Sequence, residues 1–478
     1  EIGQLGDGSF DSRNTPLEIT SQFDLGENEF ISDIKPGSAH VIFLSNIGNV
    51  YTCGYNAYGQ LGFEAPMGSS QIPVSITDQF YLPENEVIIQ VSTNASTSLA
   101  LTNNSRVFAW GDNNEGLIGN GLTGQNVVPV DITDFLNLME GESVLSVLSG
   151  MQFALINTSF GRMITWGVNN SGELGDSTRS YAEMPIEINI EDVINDEEEV
   201  VSVQSHFDRT MILTNMNNLY IWGSNYSGQI GNGTRINQFT PINLKNRFSL
   251  VDSESIIQIE MTYDSIYVLT SNGRLFSWGS NNQGILGNGL TGGPTVPSEI
   301  TPLFNLNAGE KIETVVTNSN YSYAITSMNR IFSWGVNTVG ELGNGTLDSS
   351  LVPQDITSQF PISEGENIEK IITGNSSSFA FSSTGNIYAW GYNVNDQLLD
   401  GTHENHLSPV RIDQLIGASL SSDIVSVCFL GSHTIILTSD GHVYSSSEAE
   451  MLVPISSTIV GSFRDITEAF NLHENETI

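Results

Sequence analysis

Short runs rich in Val, Ile, Tyr, Phe and Thr recur along the whole chain, and each run is bounded by Gly, Asn, Pro or Ser. In residues 340–395 four such runs follow one another, at Val352–Thr357, Ile368–Ile372, Phe379–Ser382 and Ile387–Gly391. Apolar runs of this length between turn-forming residues predict β-strands, and their short separations predict an antiparallel meander.

The same four-run unit returns at an almost constant interval. A Trp-Gly or Cys-Gly pair marks its last run at seven anchors, with intervals of 57 residues once and 56 residues five times: Cys53, Trp110, Trp166, Trp222, Trp278, Trp334 and Trp390. A fixed period of this size predicts repeated supersecondary units that bury their faces against one another. Four-stranded units stacked in this way close into a ring, which protects the sheet edges.

Other recurring residues have structural explanations. An Asn three residues after each anchor, as at Asn337, can hydrogen-bond the backbone of its own loop. The proline that recurs in each unit, as at Pro353, cannot donate to a ladder and predicts an edge strand. The tryptophans are large enough to fill the gaps between neighbouring sheets.

The motif Trp-Gly-x-Asn-x-x-Gly-x-Leu-Gly, complete in residues 334–343, resembles the regulator of chromosome condensation repeat, and so does the run from Gly431 to Gly441. The resemblance covers nearly the whole chain. It implies an all-β fold, a β-propeller of seven four-stranded antiparallel blades built from repeats of about 56 residues. The units that carry Asp-Ile-Thr after the proline, such as Asp355–Thr357, look most like large bacterial cell-surface members.

Seven units end near Asn395, and we therefore expect residues 1–395 to form the complete ring. Residues 396–478 then hold a degraded eighth repeat, in which Ser446 replaces the tryptophan, and the start of a ninth at Asp465. This remainder is expected to be an extra blade or the start of another propeller, and a ring of eight is the alternative. Because the chain begins and ends within a repeat, we expect it to be a fragment of a longer protein.

Composition narrows the classes of partner. Among 478 residues, 15 Lys and Arg face 54 Asp and Glu, and the net charge of −39 argues against nucleic acid as a partner. A protein, possibly basic, or a surface glycan is the expected partner. No apolar run is long enough for membrane insertion, and no metal, cofactor or catalytic motif is evident. We therefore expect no cofactor and no enzymatic activity, and a monomeric ring within a longer chain.

A glutamate lies 24 residues before each anchor, at positions 29, 86, 142, 198, 254, 310 and 366. Equivalent positions of a ring fall on one rim, so these carboxylates could form an acidic collar for cations or a basic partner. The alternative is that each one accepts hydrogen bonds from its own loop. We favour the structural role, because a ligand site rarely needs the same residue in every repeat.

The residue 13 positions before the anchor varies in chemistry while its surroundings stay constant. We expect it at the tip between the second and third runs, where loops on a rigid scaffold carry function. The predicted partner-binding rim contains these positions, Met151 as the approximate counterpart in the third unit, and three neighbours: His40, Thr97, Met151, His206, Phe207, Arg209, Tyr263, Ser265, Tyr321, Ser377 and His433.

Three functions are compatible with this chain. The first is a non-catalytic binding or scaffold propeller that presents one loop rim to a protein or surface glycan. The second is guanine-nucleotide exchange on a small GTPase, which the family resemblance implies. In the founding member of the family, acidic and histidine residues on one face contribute to exchange, and this chain has a histidine at the matching position in only two units, at His40 and His433. The third is a structural spacer or adhesin module of a larger surface protein. An extracellular or cell-surface location is favoured over a cytoplasmic one.

Overall fold

The computed structural model describes residues 3, 5–9, 13–65, 68–188, 198–394, 397–412, 424–430 and 433–447. These residues form eight four-stranded antiparallel sheets. The prediction of an all-β propeller with four-stranded antiparallel blades is therefore confirmed, whereas the prediction of seven blades is wrong.

Seven of the sheets follow the chain as simple meanders. Their strands are β2 Ile31–Pro36, β3 His40–Ser45, β4 Val50–Tyr55 and β5 Ser69–Ser75 in sheet I; β6 Ile88–Asn94, β7 Thr97–Thr102, β8 Val107–Gly111 and β9 Asn126–Asp131 in sheet II; β10 Val144–Ser149, β11 Phe153–Thr158, β12 Met163–Gly167 and β13 Ala182–Ile188 in sheet III; β14 Val200–His206, β15 Arg209–Thr214, β16 Leu219–Gly223 and β17 Gln238–Asn243 in sheet IV; β18 Ile256–Met261, β19 Ser265–Thr270, β20 Leu275–Gly279 and β21 Ser298–Glu299 in sheet V; β22 Ile312–Thr317, β23 Tyr321–Thr326, β24 Ile331–Gly335 and β25 Ser350–Asp355 in sheet VI; and β26 Ile368–Thr373, β27 Ser377–Ser382, β28 Ile387–Gly391 and β29 His406–Arg411 in sheet VII.

Sheet VIII joins the two ends of the chain. Its strands are β1 Arg13–Glu18, β30 Ile424–Leu430, β31 His433–Thr438 and β32 Val443–Ser447, in the order β1-β32-β31-β30. Single-turn 3₁₀ helices lie at Thr20–Gln22, Thr77–Phe80, Thr133–Leu136, Lys245–Arg247, Asn282–Gly284, Thr301–Phe304 and Thr357–Gln359.

The ring is closed by a core cluster between each pair of neighbouring sheets. Alternation along the strands of sheet VIII explains why it belongs to the ring: Ile435, Leu437 and Val443 pack towards sheet I, and Val427 and Ile436 pack towards sheet VII. This alternation survives in the eighth repeat although its tryptophan is missing. The eighth repeat therefore lacks part of the sequence motif but has both apolar faces that a blade needs.

Closure also depends on backbone pairing between the ends of the described chain. In sheet VIII, Leu17 pairs with Ser445 and Glu18 with Tyr444, and the Ile19 N–H donates to the Val443 carbonyl over 2.8 Å. The first strand thus covers the outer side of the last sheet. The proposed domain boundary after residue 395 stays a prediction, and the suggested ninth repeat at Asp465 lies outside the described residues.

Tryptophan joins neighbouring blades and asparagine closes its own loop, as the repeat predicted. The Trp278 side chain is fully buried, and its Nε1–H donates over 2.8 Å to the Gln229 carbonyl of the preceding sheet. The Asn281 side chain accepts from the Leu286 N–H over 3.0 Å and donates to the Leu290 carbonyl over 2.6 Å, which closes its loop. Equivalent Trp and Asn bonds recur from sheet to sheet, so these residues form the framework.

Antiparallel connectivity gives the ring two faces. The loops from first to second strand and from third to fourth strand emerge on one side, which we call the loop face. The turns from second to third strand and the connections between sheets emerge on the other side, which we call the turn face.

The glutamates that recur before each anchor, which we call the glutamate ladder, lie on the turn face and are structural. Their exposed fraction is 9% or less in all seven units. Glu310 accepts from the Asn307 N–H over 2.8 Å and from Arg330 over 3.1 Å, and Arg330 also pairs with Asp355 over 2.9 Å. Arginine makes the same pairs in sheets II, III and V, and asparagine takes its place in sheets I, IV and VII. These carboxylates therefore brace the connection between blades.

Candidate functional site

The positions 13 residues before the anchors do not form an exposed rim. Each begins the second strand of its sheet and pairs with the glycine that follows the anchor, as Tyr321 does with Gly335. Six of them are buried, with exposed fractions between 0% and 7%: His40, Thr97, Arg209, Ser265, Tyr321 and Ser377. Their expected placement at a loop tip is wrong, because the strand starts one or two residues before the prediction placed it. His433 begins β31, and its side chain lies outside the described residues.

The large members of this set reach across to the next sheet. The Tyr321 hydroxyl donates to the carbonyls of Gly374 and Ser377, both over 3.0 Å. His40 Nε2 lies 2.9 Å from the Thr93 hydroxyl and 3.2 Å from the Ser98 hydroxyl. Burial lowers the pKa of His40 to about 3, so this imidazole is neutral at physiological pH. These side chains act as clamps between blades.

The small members bond within their own sheet. The hydroxyls of Thr97, Ser265 and Ser377 donate to the carbonyls of Asp112, Ser280 and Tyr392 over 3.1, 2.8 and 2.7 Å. At this position, therefore, the larger polar side chains bond to the next blade, and the small hydroxyl side chains bond within their own blade.

The counterpart in the third unit is Phe153, not Met151. Phe153 pairs with Gly167 at the start of β11 and is buried, and it lies at the same 13-residue spacing from Trp166 as its counterparts. That spacing alone identifies Phe153. Met151 lies in the preceding loop, with 40% of its surface exposed.

Four of the predicted residues do meet on the loop face, and we call Met151, His206, Phe207 and Tyr263 the aromatic patch. The Phe207 and Tyr263 rings pack edge to face with centroids 4.6 Å apart, and the His206 ring lies 4.6 Å from Phe207. The Met151 N–H donates to the Phe207 carbonyl over 3.3 Å. These contacts join three consecutive blades, sheets III to V. Tyr263 is 51% exposed, so the patch faces solvent.

The patch is centred on a strained residue. Phe207 occupies the two-residue loop between β14 and β15 with φ of 53°, a left-handed conformation that is costly for a bulky side chain. Gly223, with φ of 107°, lies so close below this loop that a Cβ would meet the Asp208 carbonyl at 2.2 Å. Strain of this kind, held in place by its surroundings, supports a functional hypothesis.

Arg209 holds the patch from below. Its guanidinium is 1% exposed and donates over 2.9 Å to the Thr262 carbonyl, and also to the Tyr263 carbonyl. Asp208 lies 3.5 Å from the same group. Burial lowers the pKa of Arg209, while the charges of Asp208 and Asp264 oppose this shift. Arg209 is thus a positioning residue that ties the loop of sheet IV to that of sheet V.

The chemistry of the patch suits recognition. Burial, followed by the charge of Arg209, lowers the pKa of His206 to about 3 and keeps the ring neutral at physiological pH. The exposed surface is therefore aromatic and uncharged, with the Asp208 carboxylate beside it. Aromatic side chains held in fixed positions contribute disproportionately to protein interfaces.

Among the described residues, no group of three or more His, Cys, Asp or Glu side chains is placed to hold a metal ion. His406, one of two closely spaced histidines in the seventh unit, pairs with Asp400 over 2.5 Å instead. In the same part of the chain, no helix has the length and apolar character needed to cross a membrane.

Comparison with known proteins places this ring among its relatives. The RCC1-like domain profile matches residues 1–364. The mouse regulator of chromosome condensation is 25% identical over 449 residues, which are 92% of this chain and 89% of the relative. The mouse E3 ubiquitin-protein ligase HERC2 is 24% identical over 73% of this chain, and the match spans only 7% of HERC2.

A solved structure shares the fold. That of Prp20p from Saccharomyces cerevisiae, described with its binding to Gsp1p and histones, superposes with a TM-score of 0.56 at 19% identity. The superposition covers 86% of this chain and 94% of Prp20p.

Proposed function

Because the chain belongs to the RCC1-like domain family, we propose that it is a non-catalytic protein-binding propeller whose binding surface is the aromatic patch. The observation that carries this proposal is the packing of Phe207 against Tyr263 across two blades, with Tyr263 half exposed. Buried Arg209 fixes both loops. A rigid aromatic surface loses little conformational entropy on binding, which favours affinity.

The net charge of −39 adds a preference for partners with a basic contact surface. Asp208, with 38% of its side chain exposed, supplies a carboxylate beside the aromatic rings. Bacterial cell-surface membership and an extracellular location remain proposals that rest on the Asp-Ile-Thr units alone.

The test compares partner capture by matched variants of the full chain. Wild type, Phe207→Ala/Tyr263→Ala and Tyr226→Ala would be crosslinked to proteins in an extract of the source organism, and the captured proteins identified by mass spectrometry. Tyr226 is the control because it is 68% exposed in sheet IV and outside the patch. For the purified partner, we expect the double variant to weaken the dissociation constant at least tenfold, about 1.4 kcal/mol or more.

Retention of the partner by the double variant, or an equal loss with Tyr226→Ala, would remove the patch as the binding surface. Saturable binding on a glycan array without any protein partner would favour the glycan alternative. A spacer would tolerate both variants.

Guanine-nucleotide exchange is the second candidate, supported by the alignment with the regulator of chromosome condensation over nearly the whole chain. The burial and neutrality of His40 weigh against it, because this histidine is not free to contact a GTPase. Release of a fluorescent guanine nucleotide from a panel of small GTPases would decide: acceleration by wild type would put exchange first.

A further inference from the structure

The turn face carries a second set of exposed apolar residues that the framework does not need. We call the strand that begins each meander, which is β30 in sheet VIII, the inner strand. In every inner strand the pairing with the next strand along the chain shifts by one residue around the second position of the inner strand, which is a β-bulge. A bulge leaves its extra residue outside the ladder and re-aims the side chain. The bulge residues are Ser32, Ile89, Leu145, Val201, Ile257, Glu313, Glu369 and Val425.

Four consecutive sheets, II to V, place an aliphatic residue at the bulge, and we call these four the aliphatic crescent. Ile89, Leu145, Val201 and Ile257 are 53%, 54%, 40% and 53% exposed. The same slot accepts Ser32 in sheet I and exposed Glu313 and Glu369 in sheets VI and VII. Since the fold tolerates Ser and Glu at this position, the aliphatic residues are not required by the bulge itself.

A groove between sheets I and II lies on the same face and has a mixed lining. Ile47, Tyr81 and Val87, which are 51%, 84% and 37% exposed, line it together with polar residues such as Asp78 and Glu86. Tyr81 ends the 3₁₀ helix that follows sheet I and adopts a left-handed conformation with φ of 48°. At the equivalent position after sheets II and V, Asn137 and Asn305 adopt the same conformation. A bulky aromatic residue is strained in this conformation, and the fold does not require it here because Asn occupies the equivalent positions.

Exposed acidic residues lie on the same face as the crescent and favour a positively charged partner. Glu313 and Glu369 occupy the bulge positions of sheets VI and VII, and further exposed acids lie in the connections of the same face, among them Asp78, Glu84, Glu140, Asp252 and Glu364. Arg247 and Lys311 are also exposed in these connections, but the acids outnumber them. Charge complementarity therefore favours a basic partner.

We propose that the aliphatic crescent is a second docking surface, which binds an amphipathic segment of a partner with aliphatic residues on one side and Lys or Arg on the other. The aliphatic side chains of the segment would cover Ile89, Leu145, Val201 and Ile257, and its cations would face Glu313 and Glu369. This surface is separate from the aromatic patch, which lies on the opposite face.

The test uses a synthetic amphipathic helical peptide of Leu and Lys, with a scrambled peptide of the same composition as its control for nonspecific attraction to an acidic protein. Binding to the full chain is measured by fluorescence anisotropy. The variants are Leu145→Ser/Val201→Ser, which copies the residue at position 32, Glu313→Lys/Glu369→Lys, and Phe207→Ala/Tyr263→Ala on the loop face.

We expect saturable binding of the amphipathic peptide, weaker binding of the scrambled one, and at least a tenfold loss for the serine variant and for the lysine variant. The loop-face variant should bind like wild type, which separates this proposal from the proposed function. Equal binding of both peptides, or unchanged binding by both the serine and the lysine variants, would overturn it. So would crescent-dependent self-association in sedimentation experiments without peptide binding. If the serine variant unfolds, the lysine variant decides, because it leaves the aliphatic residues in place.

Discussion

The two faces of this ring use variation within the repeat in opposite ways. On the loop face the variable position starts the second strand, and the structure turns it inward, so that Tyr321 and His40 clamp the next blade. On the turn face the variable position is the bulge residue of the inner strand, and Leu145 or Glu369 faces solvent there. Chemical variation at a repeat position therefore does not by itself indicate an exposed surface.

Among the described residues, each face nevertheless has one bulky aromatic residue in a left-handed conformation, Phe207 on the loop face and Tyr81 on the turn face. Both lie beside other exposed apolar side chains. The combination of strain and exposure distinguishes these places from the buried clamps and from the glutamate ladder. Four experiments test this difference between the two faces.

Acid is expected to have the largest effect, because it acts at once on five glutamates of the turn face, Glu29, Glu142, Glu254, Glu310 and Glu366. Burial alone would raise the pKa of these carboxyls, but hydrogen bonds to the charged form outweigh it. The pKa is lowered from 4.5 for Glu29, Glu142, Glu254, Glu310 and Glu366, and to about 2 for Glu366. Stability supplied by such groups is lost as the pH falls from 4.5 towards 2.

The pKa of Glu260, on the inner strand of sheet V, is shifted in the opposite direction. Burial raises its pKa to about 7, so stability should rise as the pH falls from 7 towards 4.5. Urea midpoints measured against pH would show both effects: Glu260→Gln should flatten the upper limb, and Glu366→Gln should reduce the slope of the lower limb. A wild-type profile without loss below pH 4.5 would contradict the role of the ladder.

Removal of one ladder carboxylate is expected to have the next largest effect. Glu366 accepts from the Ser363 N–H, Asn386 and Tyr388 over 2.9, 2.8 and 2.9 Å. Glu366→Ala should lower the free energy of unfolding by about 2–4 kcal/mol, since it leaves buried donors unpaired. Glu369→Ala is the matched control on the exposed bulge of the same sheet and should cost under about 0.5 kcal/mol. Equal urea midpoints for the two variants would refute the distinction.

A pair of tyrosines tests the inward and outward positions of the loop face. Tyr321→Phe removes a hydroxyl that bonds two carbonyls of the next sheet and should cost about 1–2 kcal/mol of unfolding free energy without weakening partner binding. Tyr263→Phe should leave stability within about 0.5 kcal/mol of wild type. Chemical denaturation compares both. A larger loss for Tyr263→Phe than for Tyr321→Phe would contradict the assignment of Tyr321 as the stabilising, inward position.

The smallest effect is expected on the crescent. Leu145→Ser should change the free energy of unfolding by less than about 0.5 kcal/mol, because the side chain is exposed and serine occupies this slot in sheet I. Val147→Ser, two residues along the same strand but fully buried, should cost about 2–4 kcal/mol. A large cost for Leu145→Ser would show that the crescent residues are part of the core.

Much of the framework was predictable because its bonds are local or fall on the next repeat. Asn281 bonds residues up to 11 positions away, and Trp278 bonds a carbonyl 49 residues before it, so a constant period places every partner. The structural role of the glutamate ladder followed from the same regularity. The candidate site was predicted only in part: Phe207, Tyr263, His206 and Met151 meet on the surface, whereas six other predicted residues are buried.

By itself, the sequence determined the repeat, its four strands, the framework residues and an acidic all-β ring. Tertiary structure alone decided that the ring has eight blades, because closure depends on the pairing of β1 with β32, residues more than 400 positions apart. It also decided which variable positions face water. Strand register and the neighbouring blade turn Tyr321 inward, while a bulge turns Leu145 outward, and neither effect is encoded in the spacing of the repeat.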